Sequence, residues 1–187
     1  EEGISIYDGV QTKAYKPSEF HRQNANPIGN QTHFIAGDKD GNVFFDSDQS
    51  LIRYDIQTQK FSCLRKSNVY TVASIKGTIW VGIADSILTW NPDKNDFDFV
   101  TRLENRNQRA TCLLEDSGGR YWIGTTDGLF RMNDDKSLTC MIMGEDIYDL
   151  YEDSKYNLWI SIRMNGMYKR DMHGNFTRYR HDPSNPN

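Results

Sequence analysis

The sequence predicts an all-β chain of repeated four-stranded antiparallel blades, and three observations predict it. A turn followed by an aromatic-led strand recurs four times, as Lys39-Asp40-Gly41-Asn42-Val43-Phe44, Lys76-Gly77-Thr78-Ile79-Trp80, Ser117-Gly118-Gly119-Arg120-Tyr121-Trp122 and Ser154-Lys155-Tyr156-Asn157-Leu158-Trp159. The anchors Phe44, Trp80, Trp122 and Trp159 stand 36, 42 and 37 residues apart, the period of a repeat architecture. Between them lie apolar runs of four to six residues bounded by Gly, Asp, Asn or Ser, and no segment holds a 3.6-residue period over two turns. Short strands in tight turns at this period form a β-propeller, here a partial, open one of about four blades plus two strands.

Taken in order, Gly3-Ile4-Ser5-Ile6-Tyr7 aligns with Gly128-Leu129-Phe130-Arg131-Met132, the third strand of a later blade. Residues 1–16 therefore read as strands c and d of an incomplete blade, with d at Lys13 to Lys16. Full blades are expected at 32–64, 69–101, 110–143 and 147–181, within a single domain over 1–187. In the third, strand a runs from Ala110 to Glu115, b from Tyr121 to Thr125, c from Leu129 to Met132 and d from Leu138 to Ile142. The last repeats this at Ile147 to Glu152, Leu158 to Ile162, Met167 to Arg170 and Phe176 to Arg180. The long polar connection Pro17 to Gln31 is rich in Asn and reads as an excursion between blades.

Polarity orders the strands within a blade. Strand b is nearly continuous in apolar or small residues, as when both faces of a sheet are covered. Strand d alternates, as in Phe97-Asp98-Phe99 and Phe176-Thr177-Arg178-Tyr179, the pattern of a half-exposed outer strand. Gly41, Gly77 and Gly119 suit a-to-b turns that need positive φ. Gly82 and Gly124, two residues past the anchor, leave room for a neighbouring blade's side chain; Asp46 breaks this rule in the first full blade. The Trp series reads as inter-blade filler, so Trp122→Ala should cost about 3 to 5 kcal/mol.

Composition sets bounds. Apolar residues make up 37% and charged ones 26%, with signs interspersed and a net charge of -4, which leaves no basic face for nucleic acid. No apolar run approaches the roughly 18 residues that span a bilayer, and the start Glu1-Glu2-Gly3-Ile4 has neither a basic n-region nor an apolar h-region, so any signal peptide is expected to have been removed. Cys63, Cys112 and Cys140 are odd in number and widely spaced, and read as buried strand residues. The sequence offers no catalytic constellation, no Gly-x-Ser-x-Gly, no cofactor motif and no metal-ligand spacing. Asp38-Lys39-Asp40-Gly41-Asn42 has a faint look of a calcium loop but lacks the third carboxylate and the terminal Glu, so it reads as a turn. The acidic turns Glu115-Asp116-Ser117 and Glu152-Asp153-Ser154 read as turn chemistry, Asp accepting from N–H groups two residues on.

The segment Leu113-Leu114-Glu115-Asp116-Ser117-Gly118-Gly119-Arg120-Tyr121-Trp122-Ile123-Gly124-Thr125-Thr126-Asp127-Gly128-Leu129-Phe130-Arg131 resembles the two-component regulator propeller repeat. Tyr148 to Ser154 through Gly166-Met167-Tyr168 is similar, and Phe176 to Asn187 resembles the passage into a next repeat. A WD40 reading fails because the Trp sits in strand b and no Trp-Asp pair closes strand c. The resemblance implies the periplasmic, extracytoplasmic part of a Bacteroidetes hybrid two-component sensor, perceiving an oligosaccharide and signalling to a histidine kinase outside this chain. It implies no enzyme activity in this segment and no cofactor, and membrane attachment only through other parts of the parent. A propeller scaffold for protein–protein interaction is the alternative, with a glycan-active enzyme behind it. Four blades plus two strands read as a fragment, expected to associate through exposed blade faces as a homodimer or with the rest of the sensor.

Recognition is expected where loops vary on a rigid scaffold. With strand a starting at the upper edge, the d-to-a and b-to-c loops lie there. Tyr70, Asp85, Arg109, Asp127, Arg163 and Asn165 are the ligand-binding candidates in them, able to hydrogen-bond hydroxyls, stack on a ring or pair with an acidic sugar.

Overall fold

In the computed structural model, residues 4–7, 9–15, 32–47 and 50–180 are described, and among them there is no helix. The described residues form eighteen strands. β1 (Ile4–Tyr7) and β2 (Thr12–Tyr15) make a two-stranded sheet, and four antiparallel four-stranded sheets follow. Blade 1 holds β3 (Ile35–Gly37), β4 (Val43–Ser47), β5 (Ser50–Asp55) and β6 (Lys60–Arg65); blade 2 holds β7 (Val69–Ile75), β8 (Thr78–Ile83), β9 (Ser86–Asn91) and β10 (Asp96–Arg102). Blade 3 holds β11 (Ala110–Glu115), β12 (Tyr121–Thr125), β13 (Gly128–Met132) and β14 (Leu138–Met143). Blade 4 holds β15 (Ile147–Glu152), β16 (Leu158–Ile162), β17 (Met167–Arg170) and β18 (Phe176–Tyr179). Each strand pairs with its sequence neighbour, the up-and-down meander of a propeller blade. The expected excursion at Pro17 to Gln31 and the tail beyond Arg180 lie outside the described residues.

The chain divides into two compact units, Glu1–Ile83 with Thr89–Asp98, and Ala84–Leu88 with Phe99–Asn187. In the first, Phe45, Ile52 and Tyr54 form a buried cluster against which Ile4, Ile6, Tyr15 and Phe61 pack, so β1–β2 docks on blade 1 through alternate side chains. Tyr15 meets the Phe61 ring edge-on at 4.9 Å. Phe44 is fully buried and meets Trp90 of blade 2 edge-on at 5.2 Å. In the second unit, Trp122 is fully buried in a cluster with Ile147, Leu150, Leu158, Ile160 and Ile162 of blade 4, the inter-blade role expected of it. Trp159 differs. It is half-buried, and its own sheet covers it, Tyr179 at 5.8 Å and Lys169 at 5.6 Å.

Turn chemistry matches the sequence. The glycines Gly41, Gly77 and Gly119 have φ of 85°, 75° and 77°. Gly77 also admits a neighbour: the Lys39 amide of blade 1 donates to the Gly77 carbonyl at 2.8 Å, and a Cβ on Gly77 would stand 2.8 Å from that of Lys39. At Gly124 a Cβ would meet Ile147 Cγ2 of blade 4 at 2.7 Å and Cys112 Sγ closer still. Blade 1 does pack differently at this position. Asp46 is buried and turns its carboxylate on the residues just before its own strand a, accepting the His33 and Phe34 amides at 2.8 and 2.6 Å and facing His33 Nδ1 at 2.9 Å.

The cysteines need one correction. Cys112 is buried and Cys63 half-buried, but Cys140 is exposed, because it stands on the outer strand β14, where Thr139, Cys140 and Met143 are all left exposed. Burial pushes the Cys112 thiol up to about 12.

Candidate functional site

The upper edges of blades 2, 3 and 4 are built by one recurring irregularity. In β7, β11 and β15 the register with strand b slips by one residue between Val69 and Thr71, between Ala110 and Cys112, and between Ile147 and Asp149. Tyr70, Thr111 and Tyr148 are the extra residues. Such a bulge re-aims a side chain at the end of a strand without moving the pairs that follow. Thr111 uses its position structurally, donating its hydroxyl to the Ile147 carbonyl of the next blade at 2.6 Å. Tyr148 is 59% exposed.

In the second unit the b-to-c turns are clasped by the connections on either side. The Thr126 amide donates to the Arg109 carbonyl at 3.1 Å and the Arg163 amide to the Asp146 carbonyl at 2.9 Å. The carbonyls of Asp85 and Asp127 accept from the Leu103 and Gly144 amides at 2.8 and 3.0 Å. The loops that vary in sequence therefore hang from a repeated backbone frame, with each tip side chain free to differ.

Blade 4 gathers the densest polar group. Arg163 Nε donates to Asp146 Oδ2 at 2.9 Å, and the guanidinium lies 5.0 Å from the Tyr148 ring centroid. Asn165 donates its amide to Glu145 Oε2 at 2.9 Å, while Arg178 Nη2 pairs with Glu145 Oε1 at 2.6 Å and stacks over Tyr168 at 4.9 Å. Asp146 Oδ1 is buried without a hydrogen-bond partner, an acceptor left over from the Arg163 pair. An aromatic ring, a guanidinium over it and two carboxylates thus stand together, able to stack against a ring and exchange hydrogen bonds with hydroxyls.

The structure brings Arg163 and Asn165 together in this cluster. Arg109 and Asp127 stand beside one another at the blade 3 edge, where Gln108 donates to Asp127 Oδ2 at 3.4 Å and the Arg109 amide to Thr126 Oγ1 at 3.3 Å. Asp85 holds Ser86 Oγ at 3.0 Å and faces Arg102 Nε at 3.6 Å. Tyr70 belongs to the first unit, at the tip of β7. Sequence reasoning missed Tyr148, and it placed Glu145 and Asp146 in a d-to-a loop at this edge without singling them out. Tyr148 was findable, since Val69-Tyr70-Thr71 and Ile147-Tyr148-Asp149 are the same place in two repeats.

The lower-edge turns are structural. Asp116 Oδ1 accepts the Gly118 and Arg120 amides at 3.0 Å each, and Oδ2 accepts Arg120 Nε at 2.7 Å and Trp122 Nε1 at 2.8 Å. Burial pulls this carboxyl up, but the Trp122 and Arg120 bonds outweigh it and hold it below the usual carboxylate range. Asp153 does the same for Lys155, Asn157 and the Trp159 indole. Asp38 accepts the Asp40 and Asn42 amides at 2.9 and 2.8 Å, so the calcium-like pentapeptide is a turn of this kind. Among the described residues no group of three His, Cys, Asp or Glu side chains is placed to hold a metal ion.

Comparison with known proteins places these features. Residues 106–127 match the two component regulator propeller family. The extracellular domain of one hybrid two component system from B. thetaiotaomicron superposes with a TM-score of 0.75 at 20% identity, over 98% of this chain and 26% of that one. A second such domain from B. thetaiotaomicron gives 0.75 at 19% identity, over 97% and 26%. A virginiamycin B lyase from Staphylococcus aureus gives 0.72 at 15% identity, over 98% and 64%. The chain thus spans 26% of the length of the extracellular domains it matches. No curated protein matches its sequence.

Proposed function

We propose that this chain, which carries a two-component regulator propeller repeat, is part of the periplasmic ligand-sensing propeller of a hybrid two-component sensor and recognises an oligosaccharide without transforming it. The observation that carries this reading is the Tyr148, Arg163, Asp146, Glu145 and Asn165 cluster, set on variable loops that hang from a repeated backbone frame. A half-exposed tyrosine beside a guanidinium and paired carboxylates is hydrogen-bonding and stacking chemistry suited to a polyhydroxylated ring. Signal would leave through movement of blades or of a packed partner toward a histidine kinase elsewhere in the parent. An intact sensor ectodomain screened by thermal shift against an oligosaccharide panel tests the reading. A binder at 100 times its dissociation constant stabilises by about 2.7 kcal/mol. Tyr148→Ala and Arg163→Ala should abolish the shift while leaving the unliganded melting temperature in place; absence of a shift with every glycan overturns it.

One observation favours a second reading, a surface for another protein. Among the described residues, Trp159 is half-buried against Tyr179 and Lys169 of its own sheet, and Tyr151 at 64% and Tyr179 at 46% exposure lie on the same blade. Association of two copies through such blade faces is the partner arrangement we propose. Sedimentation of the chain at micromolar concentration tests it: a monomeric mass would sink the dimer.

A further inference from the structure

We propose that a hollow at the lower edge of blade 3 binds a small molecule bearing an oxyanion, through Arg131 and Lys136. The hollow has a volume of about 320 Å³, and its lining includes Arg120, Tyr121, Arg131, Asn133, Asp134 and Lys136. It sits at the end of β12 and β13 opposite the tip loops, so it is separate from the Tyr148 cluster.

The charge there is unbalanced. Arg120 is already paired with Asp116, leaving Asp134 as the one carboxylate in the lining against Arg131 and Lys136. Among the described residues, neither Arg131 nor Lys136 offers its side chain to a hydrogen-bond acceptor or a carboxylate; Lys136 is bonded only through its backbone, whose carbonyl accepts the Thr101 hydroxyl at 2.7 Å. The equivalent cations in other blades are engaged. Arg53 in blade 1 pairs with Asp55 at 2.8 Å, bonds Asn95 at 3.1 Å and stacks over Trp90 at 5.4 Å, and Lys169 in blade 4 lies over Trp159 at 5.6 Å. Arg131 has no such neighbour because the residue facing it from the next blade, where blade 2 carries Trp90, is Arg170.

Arg170 adds to the positive field. It is buried, its guanidinium lies 5.3 Å from the Trp122 ring centroid, and its Nε has no hydrogen-bond partner. Desolvation and the like charges of Arg120 and Arg131 both act against its protonated form. An anion settled between Arg131 and Lys136 would offset that repulsion, and guanidinium and ammonium together suit an oxyanion's several acceptors. The donors are also held in place: Arg131 is paired with Trp122 and Thr139 across β13, and Lys136 sits in a turn with φ 69° closed by the Asn133 and Ser137 backbone bond. The volume exceeds a bare ion and admits a single six-membered ring carrying one.

The test is amide NMR on the full chain, titrated with sodium sulfate, with sodium acetate, and with sodium chloride at matched ionic strength. Saturable shifts at Gly119, Arg131 and Lys136 with sulfate or acetate but not chloride are expected, weakened at least about tenfold in Arg131→Gln and in the exposed Lys136→Gln. The stronger of the two salts distinguishes a tetrahedral ester group from a carboxylate. Shifts that follow ionic strength alone, or that persist unchanged in Lys136→Gln and Arg131→Gln, overturn the proposal. Lys136→Gln keeps the test open should Arg131→Gln fail to fold.

Discussion

Trp122 Nε1 donates to Asp116 Oδ2 at 2.8 Å, joining the main inter-blade side chain to the turn six residues before it. The indole is fully buried, and among the described residues Asp116 is the partner its N–H finds. Asp116→Ala strands that donor, at about 1 to 3 kcal/mol, and also removes the carboxylate from two turn amides. A loss of about 3 kcal/mol in urea unfolding is expected. Trp122→Phe, which removes the donor and keeps a ring, should cost less, and the two changes should be non-additive because they share one bond.

The same bonds give acid sensitivity a definite sign. Bonds from the Trp159 indole and Asn157 hold Asp153 far below the usual carboxylate range, and bonds from Asn175 lower Asp171 likewise. Groups depressed in the folded state stabilise it above the unfolded value of about 3.9 and lose that contribution as pH falls through the folded value. The urea midpoint should therefore be flat from about pH 7 to 5 and fall below about 4. Asp153→Asn should flatten the fall; an unchanged slope would count against the assignment.

Tyr156 occupies the place that Gly119 holds in blade 3, with φ 62° and 58% of its surface exposed. A left-handed non-glycine residue costs about 1 kcal/mol, and little packing is lost with this side chain. Tyr156→Gly should raise stability by about 0.5 to 1 kcal/mol, read as a higher melting temperature. Lys155→Gly, next to it and outside the left-handed region, should lower it.

Gly124 is a contact rather than a turn. The Cβ of Gly124→Ala would stand 2.7 Å from Ile147 Cγ2, and Cys112 Sγ is nearer. Overpacking of this kind costs about 1 to 3 kcal/mol, and the loss should appear as a lower urea midpoint. Adding Cys112→Ala should return part of it, while Ile147 limits the recovery.

How far these features could be read from the chain depends on whether they repeat. The four blades, the φ of Gly41, Gly77 and Gly119 and the burial of Trp122 all follow from a pattern written several times. Trp159 has the same signature yet is half-buried, because burial depends on what faces the blade and not on the strand that carries it. The Asp116 to Trp122 bond crosses a hairpin and has no linear motif beyond an Asp before a Trp at six residues. Arg170 was legible only by setting it beside Trp90 of blade 2, since a lone arginine in a strand reads as a solvated outer residue. Arg163 and Asn165 were expected at the tips, but the carboxylates that bind them lie on a neighbouring connection, a pairing that spacing does not encode.

The bulges at Tyr70, Thr111 and Tyr148 separate two evolutionary demands on one strand. Each supplies a position outside the pairing ladder, so the residue there can change from tyrosine to threonine and back while Val72, Leu113 and Leu150 keep their partners. A family built this way can diversify what its rim touches by drift at a few such positions, without renegotiating the register that holds its blades.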